Sequence, residues 1–148
     1  MSGSDWLMLL LGVLMLGLFG GVHLAGLEII RRMRPSERRH PWLAAVLVFW
    51  SVGLLHLTEI ALAAVLLFAI AAVSAATGAL AAPDAASWLY FAGITFATLG
   101  FAQVEPEGPL RLLYMMLSVT GFMLITWSAT FLHDVWSRSE RAEETGGG

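Results

Sequence analysis

The chain of 148 residues has no cysteine and no lysine, and only 13% of it is charged. Without cysteine there can be no disulfide, no thiolate metal site and no cysteine nucleophile. A soluble domain carries about 25% charged residues, so the scarcity of charge argues against an ordinary water-exposed surface. What the sequence has instead is apolar length: 58% hydrophobic residues and a mean hydropathy of +0.78, which together describe an integral membrane protein. The net charge of −3 conceals an uneven distribution, because all eight basic residues are arginines and Arg31, Arg32, Arg34, Arg38 and Arg39 fall in one short connection. Such a cluster orients a membrane protein and leaves no case for nucleic-acid binding.

Trp6 to Ile30 is apolar apart from His23 and Glu28, and about 20 such residues cross the hydrocarbon core as a helix. Asp5 precedes this run and the arginines follow it, the reverse of a cleavable signal peptide, so the segment is expected to stay in place with the N-terminus outside. A second apolar stretch from Pro41 or Trp42 to about Thr77 is longer than a bilayer needs, so it must tilt, protrude or end early. Thr77, Gly78, Pro83 and Asp84 mark a break, with Asp84 an N-cap for a helix over 85–97 that is too short to span. After Pro106, Gly108 and Pro109 a third span runs from Leu110 to about Leu132, ending in a charged tail that returns to the cytoplasm. The expected division is an N-terminal transmembrane helix over 1–30, a cytoplasmic arginine-rich loop over 31–41, a unit of two spans with the short helix between them over 42–134 and a cytoplasmic polar tail over 135–148.

This layout puts the short helix and the segment Ile94-Thr95-Phe96-Ala97-Thr98-Leu99-Gly100-Phe101-Ala102-Gln103 between the second and third spans, on the external side. Non-helical backbone at membrane depth needs protein or water around it, because lipid offers no hydrogen-bond partners. A re-entrant helix followed by Thr-Leu-Gly-Phe resembles the pore loop of potassium channels, whose filter reads Thr-Val-Gly-Tyr-Gly-Asp and coordinates ions through carbonyl oxygens. The resemblance implies an all-α membrane protein: three transmembrane helices plus a re-entrant pore helix and filter loop, assembled as a homotetramer. It implies a filter of Thr98, Leu99, Gly100, Phe101 and Ala102, with Thr95 in the pore helix. Ala102 stands at the second glycine position of the motif, where a Cβ costs about 1–2 kcal/mol per subunit. Gln103 stands at the bracing aspartate, with Tyr90 or Trp88 as its hydrogen-bond partner. Both departures imply weakened or altered potassium selectivity.

In the third span Gly121 sits where such channels carry a hinge glycine, and Phe122, Ile125, Ala129 and His133 follow on one face, which would line the inner cavity and gate or else pack against other helices. Glu105 and Glu107 would ring the external mouth with negative charge, or form a solvated acidic loop. Beside Asp134, His133 is a candidate for a pH-dependent gate.

Upstream, His56-Leu57-Thr58-Glu59-Ile60-Ala61-Leu62-Ala63 resembles the His-Leu-Leu-Glu-Ile-Trp-Leu-Trp stretch of small bacterial three-helix ion channel proteins. Their inner helix carries Trp-Ser followed by small residues, as Trp127-Ser128-Ala129-Thr130 does here. Independently of that likeness, His56 and Glu59 share a helical face and neither should face lipid. They are expected to pair with each other or with His23 as an intramembrane polar cluster locking the first helix onto the second, with no metal. Gly17, Gly21 and Ala25 form a small-residue stripe expected to make close helix contacts.

The expected function is passive permeation of monovalent cations, K+ or Na+, through a tetrameric channel in the bacterial inner membrane, surrounded by lipid and without a cofactor. A non-conducting pore homologue serving as a structural or regulatory subunit is the alternative. A metal- or haem-dependent intramembrane enzyme built on His23, His56 and Glu59 is a more distant third, since no nucleophile and base share a recognisable spacing.

Overall fold

The computed structural model describes residues 2–33, 41–73, 84–99 and 106–146. Four helices account for nearly all of them: α1 (Gly3–Met33), α2 (Pro41–Val73), α3 (Ala85–Phe96) and α4 (Leu110–Gly146). Three are long and apolar enough to cross a membrane, through Gly3–Met33, Trp42–Ala72 and Leu110–Arg138. At 1.5 Å rise per residue each of these reaches more than about 40 Å, against a hydrocarbon core of about 30 Å.

α1 and α3 begin at local side-chain caps. Ser2 and Asp5 form a reciprocal cap, the Ser2 N–H donating to Asp5 Oδ2 at 2.6 Å while the Asp5 N–H donates to Ser2 Oγ at 3.3 Å, which starts α1 three residues before the first tryptophan. The carboxylate of Asp84 accepts the Ser87 N–H at 2.7 Å and fixes the start of α3. Within the spans, hydroxyls fold back onto their own helix: Ser51 onto the Leu47 carbonyl, Thr58 onto Leu54 and Thr126 onto Phe122. Lipid supplies no partner, so this is how a hydroxyl crosses a bilayer satisfied.

Two apolar clusters fix the topology. At one end Leu27 of α1, Val48 and Val52 of α2 and Val135 of α4 pack together, with Trp42 edge-on to Trp136 at 5.3 Å. At the other end Met8 and Phe19 meet Leu67, Trp88, Phe91 and Leu113. The end of α1, the start of α2 and the end of α4 therefore share one side, and α3 belongs to the opposite side with the chain's beginning. Between the clusters the outer surfaces are apolar: Leu14, Trp50, Leu54 and Leu57 are all exposed. Exposed apolar surface of that extent is stable only against lipid or another protein.

Three expectations change. α4 does not stop near Leu132 but continues to Gly146, so the expected polar tail is helical. Pairs one turn apart hold it, Arg138 to Asp134 at 2.8 Å and Trp136 Nε1 to Glu140 at 2.9 Å, and neither proline nor glycine interrupts it. α1 likewise runs past Ile30 to Met33, with Glu28 paired to Arg31 and Arg32 at 2.7 Å each. Among the described residues the stripe of Gly17, Gly21 and Ala25 makes no close contact: it is exposed, and a Cβ on either glycine would meet nothing within 4 Å. The buried face of α1 is instead Met8, Gly12, Met15, Phe19, His23 and Leu27, with Gly12 under Met116. The break expected at Thr77, Gly78 and Pro83, and Arg34, Arg38 and Arg39 of the arginine-rich loop, lie outside the described residues.

Candidate functional site: the end of the short helix and the buried polar cluster

α3 packs between α2 and α4 and buries Trp88, Phe91, Ala92, Ile94 and Phe96. Its far end is set by a small-residue contact: the backbone carbonyl of Phe96 lies so close to Gly121 of α4 that a Cβ there would overlap it. Gly121 is eleven residues into α4, about 16 Å along its axis. Half the thickness of a hydrocarbon core is about 15 Å. The carbonyl end of α3 therefore stops part-way along the apolar span Leu110–Arg138 of α4, at a distance from its start comparable to that half-thickness.

Capping resolves how a helix can stop there. The Ala97 N–H donates to the Gly93 carbonyl at 2.9 Å, Thr98 N–H to Thr95 at 3.1 Å and Leu99 N–H to Ile94 at 2.9 Å. The last two bonds form a Schellman motif, which needs a left-handed residue after the cap. That residue is Thr98, with φ of 58°. At Thr98 the backbone is therefore left-handed rather than extended, because the helix's free carbonyls claim the amides of Thr98 and Leu99. Thr98 and Leu99 are both exposed. Gly100, Phe101, Ala102, Gln103 and Glu105 lie outside the described residues.

The two aromatic candidates for bracing point apart. Trp88 is buried and packs edge-on against Phe68 of α2 at 5.8 Å, whereas Tyr90 is exposed and its nearest ring is Phe91 at 5.9 Å. Thr95 is half-buried and gives its carbonyl to Thr98. On α4, Phe122, Ile125, Ala129 and His133 are all exposed and form a continuous face turned away from the buried stripe of Leu117, Leu124 and Ser128. Glu107 is exposed as well.

Beneath the end of α3 lies the cluster of His23, His56 and Glu59. His23 Nδ1 is 2.8 Å from one carboxylate oxygen of Glu59 and His56 Nδ1 is 2.9 Å from the other. The imidazoles stack with centroids 5.4 Å apart and planes 25° from parallel. Both His23 and Glu59 are fully buried, and His56 keeps 18% of its side chain open. Ser128 of α4 closes the network, its Oγ 3.2 Å from His23 Nε2. One carboxylate thus joins α1 to α2, and one hydroxyl joins both to α4. The outer edge of His56 packs against the Phe96 ring at 5.8 Å, so the cluster backs directly onto the last turn of α3.

Ser128 did not stand out in the sequence as a partner of this cluster. The signal was its position on the buried stripe of α4 with Leu117, Leu124 and Val135, where a hydroxyl demands a partner: Thr120 finds one in the Met116 carbonyl, Ser128 in His23. Phe96 and Gly12 were equally silent, since a phenylalanine and a glycine in an apolar run announce nothing about what they touch.

Residues 55–138 match the family model described as an ion channel. The chain belongs to the ion channel family. The match covers more than half of it, from one residue before His56 through α3 to Arg138 of α4, and leaves α1 with His23 outside. No curated protein and no solved structure matches the chain. With its three spans it is a multi-pass membrane protein, and its family is one of channels rather than of enzymes.

Proposed function

We propose that this ion channel conducts monovalent cations through a pore shared by four copies, with a filter formed by Thr98 to Ala102 and an inner cavity lined by Phe122, Ile125 and Ala129. The observation that carries the reading is the halt of α3 against Gly121, part-way along the apolar span of α4. A helix of 12 residues that ends there directs its carbonyl dipoles toward the centre of the bilayer, where they favour a cation. One protomer has no second wall to enclose an ion, and closed rotational symmetry supplies the rest. The exposed apolar face of α4 accords with that arrangement, because it is covered by neither α1 nor α2.

The arginines at the end of α1 support a cytoplasmic position for that end under the positive-inside rule, with α3 outside. Ala102 in place of glycine is the feature that weakens discrimination between K+ and Na+. His133 lies at the cytoplasmic end of the proposed cavity.

The test is flux through purified protein in liposomes, with reversal potentials under opposed K+ and Na+ gradients, alongside cross-linking to count subunits. The expected result is four chains, cation flux, and an Ala102→Gly variant shifted toward K+. A tetramer that passes no ion would assign the chain a non-conducting role, and a monomer would end the pore reading.

A further inference from the structure

We propose that His23, His56 and Glu59 form a binding site for a divalent transition metal of the zinc class, pinning α1 to α2 behind the end of α3. Three donor atoms, one from each side chain, lie within 4.8 Å of one another. In a tetrahedral zinc site with bonds of about 2.1 Å, the ligand atoms stand about 3.4 Å apart. The observed separations of 2.8 and 2.9 Å between carboxylate and imidazole, and the upper bound of 4.8 Å, bracket that value. Small side-chain rotations therefore suffice to open the cluster around an ion.

The chemistry of the donors is selective. Two imidazoles and a carboxylate suit zinc and its first-row neighbours and are poorly matched to magnesium or calcium, which take oxygen ligands. The same set with a free fourth position is a common zinc environment. Ser128 supplies the outer contact that such sites use: its Oγ lies 3.2 Å from His23 Nε2. With the metal on Nδ1, Nε2 carries the proton and donates it in a hydrogen bond to Ser128, which fixes tautomer and ring plane.

Electrostatics favour a cation here. Glu59 is fully buried in the middle of a span, where an ionised carboxylate is costly unless a positive charge offsets it. Among the described residues its two oxygens meet the two imidazoles, while Arg31 and Arg32 are engaged with Glu28. His56 keeps one edge open, which gives an ion a way in.

The experiment uses the untagged full-length protein in detergent, stripped with a chelator and titrated with zinc chloride by calorimetry, with zinc counted by mass spectrometry. The expected result is one zinc per chain, no heat from magnesium, and a raised melting midpoint. His23→Gln and Glu59→Gln abolish stoichiometric binding, Ser128→Ala weakens it about 10- to 100-fold, and His40→Ala and His133→Ala leave it intact. Should a cluster variant misfold, cobalt in the parent protein decides: an intense visible spectrum of four-coordinate cobalt supports the site, and a pale six-coordinate one overturns it. Absence of stoichiometric zinc in the parent, or its loss in His133→Ala, also overturns it. The site depends on protomer geometry alone, so zinc bound by a chain without flux would sink the conduction reading and leave this one standing.

Discussion

The Phe96 carbonyl and Gly121 meet backbone to backbone, a contact between α3 and α4 that leaves no room for a Cβ on Gly121. Neither side can rotate away, because the clashing atoms belong to main chain. Gly121→Ala should therefore displace α3, at the cost of about 1–3 kcal/mol typical of overpacking. A lowered melting midpoint and lost cation flux are expected together. Gly53→Ala is the control: a Cβ there meets nothing, and replacing a helical glycine adds up to about 1 kcal/mol.

Thr98 carries the second prediction. A β-branched residue with φ of 58° sits in a conformation that costs an L-residue about 1–2 kcal/mol. Thr98→Gly removes that strain and returns about 0.4–1 kcal/mol through the freer unfolded chain, so stability rises by about 0–1.6 kcal/mol. Thr98→Val keeps the strain and gains nothing. Thermal unfolding of the three proteins side by side separates these outcomes; a Thr98→Gly variant no more stable than Thr98→Val would show that the left-handed backbone stores no strain, and a loss of stability in both variants against the parent would show that the hydroxyl matters there.

The helices were legible because their determinants are local: apolar runs of the right length, Asp84 three residues before Ser87, and the arginines after α1. What depended on neighbours was not. Nothing local told that Gly12, rather than Gly17 or Gly21, lies beneath another helix, since that follows from which face of α1 His23 turns toward Glu59. The helical tail was obscured by its charge, although the spacings of Asp134 with Arg138 and Trp136 with Glu140 suit a helix. At the cluster, the three-residue spacing put His56 and Glu59 on one face and left His23 as an expected partner, but Glu59 holding both imidazoles at once and a hydroxyl from α4 reaching His23 are products of packing. Thr98's conformation was hidden most deeply, because it answers a hydrogen-bonding demand of carbonyls four and three residues earlier.

Glu59→Ala leaves two buried Nδ1–H groups without an acceptor. Each unmade bond costs about 1–3 kcal/mol, and the partial exposure of His56 reduces its share, so the expected loss is about 2–4 kcal/mol in metal-free protein. Arg138→Ala breaks a pair that is half in solvent and should cost about 0–1 kcal/mol. Melting curves in chelator compare the two directly. Equal effects would mean that the cluster is no more than another surface-strength contact.

The cap of α3 should respond to acid. The Ser87 amide, donating to the Asp84 carboxylate, holds that carboxyl below its ordinary value of 3.8. Because folding lowers the pKa, the unfolded chain binds the proton more readily than the folded one. The cap's contribution is therefore present above the ordinary carboxylate value and is lost as pH falls through the lower folded one. Asp84→Asn keeps an oxygen for the amide without the charge, so the difference in melting midpoint between parent and Asp84→Asn should shrink as pH drops below about 4. Asp84→Ala removes the acceptor and should melt lower than Asp84→Asn at every pH. A parent-minus-Asn difference that stays constant from neutral to acid pH would show that the charge on Asp84 contributes nothing to seating α3.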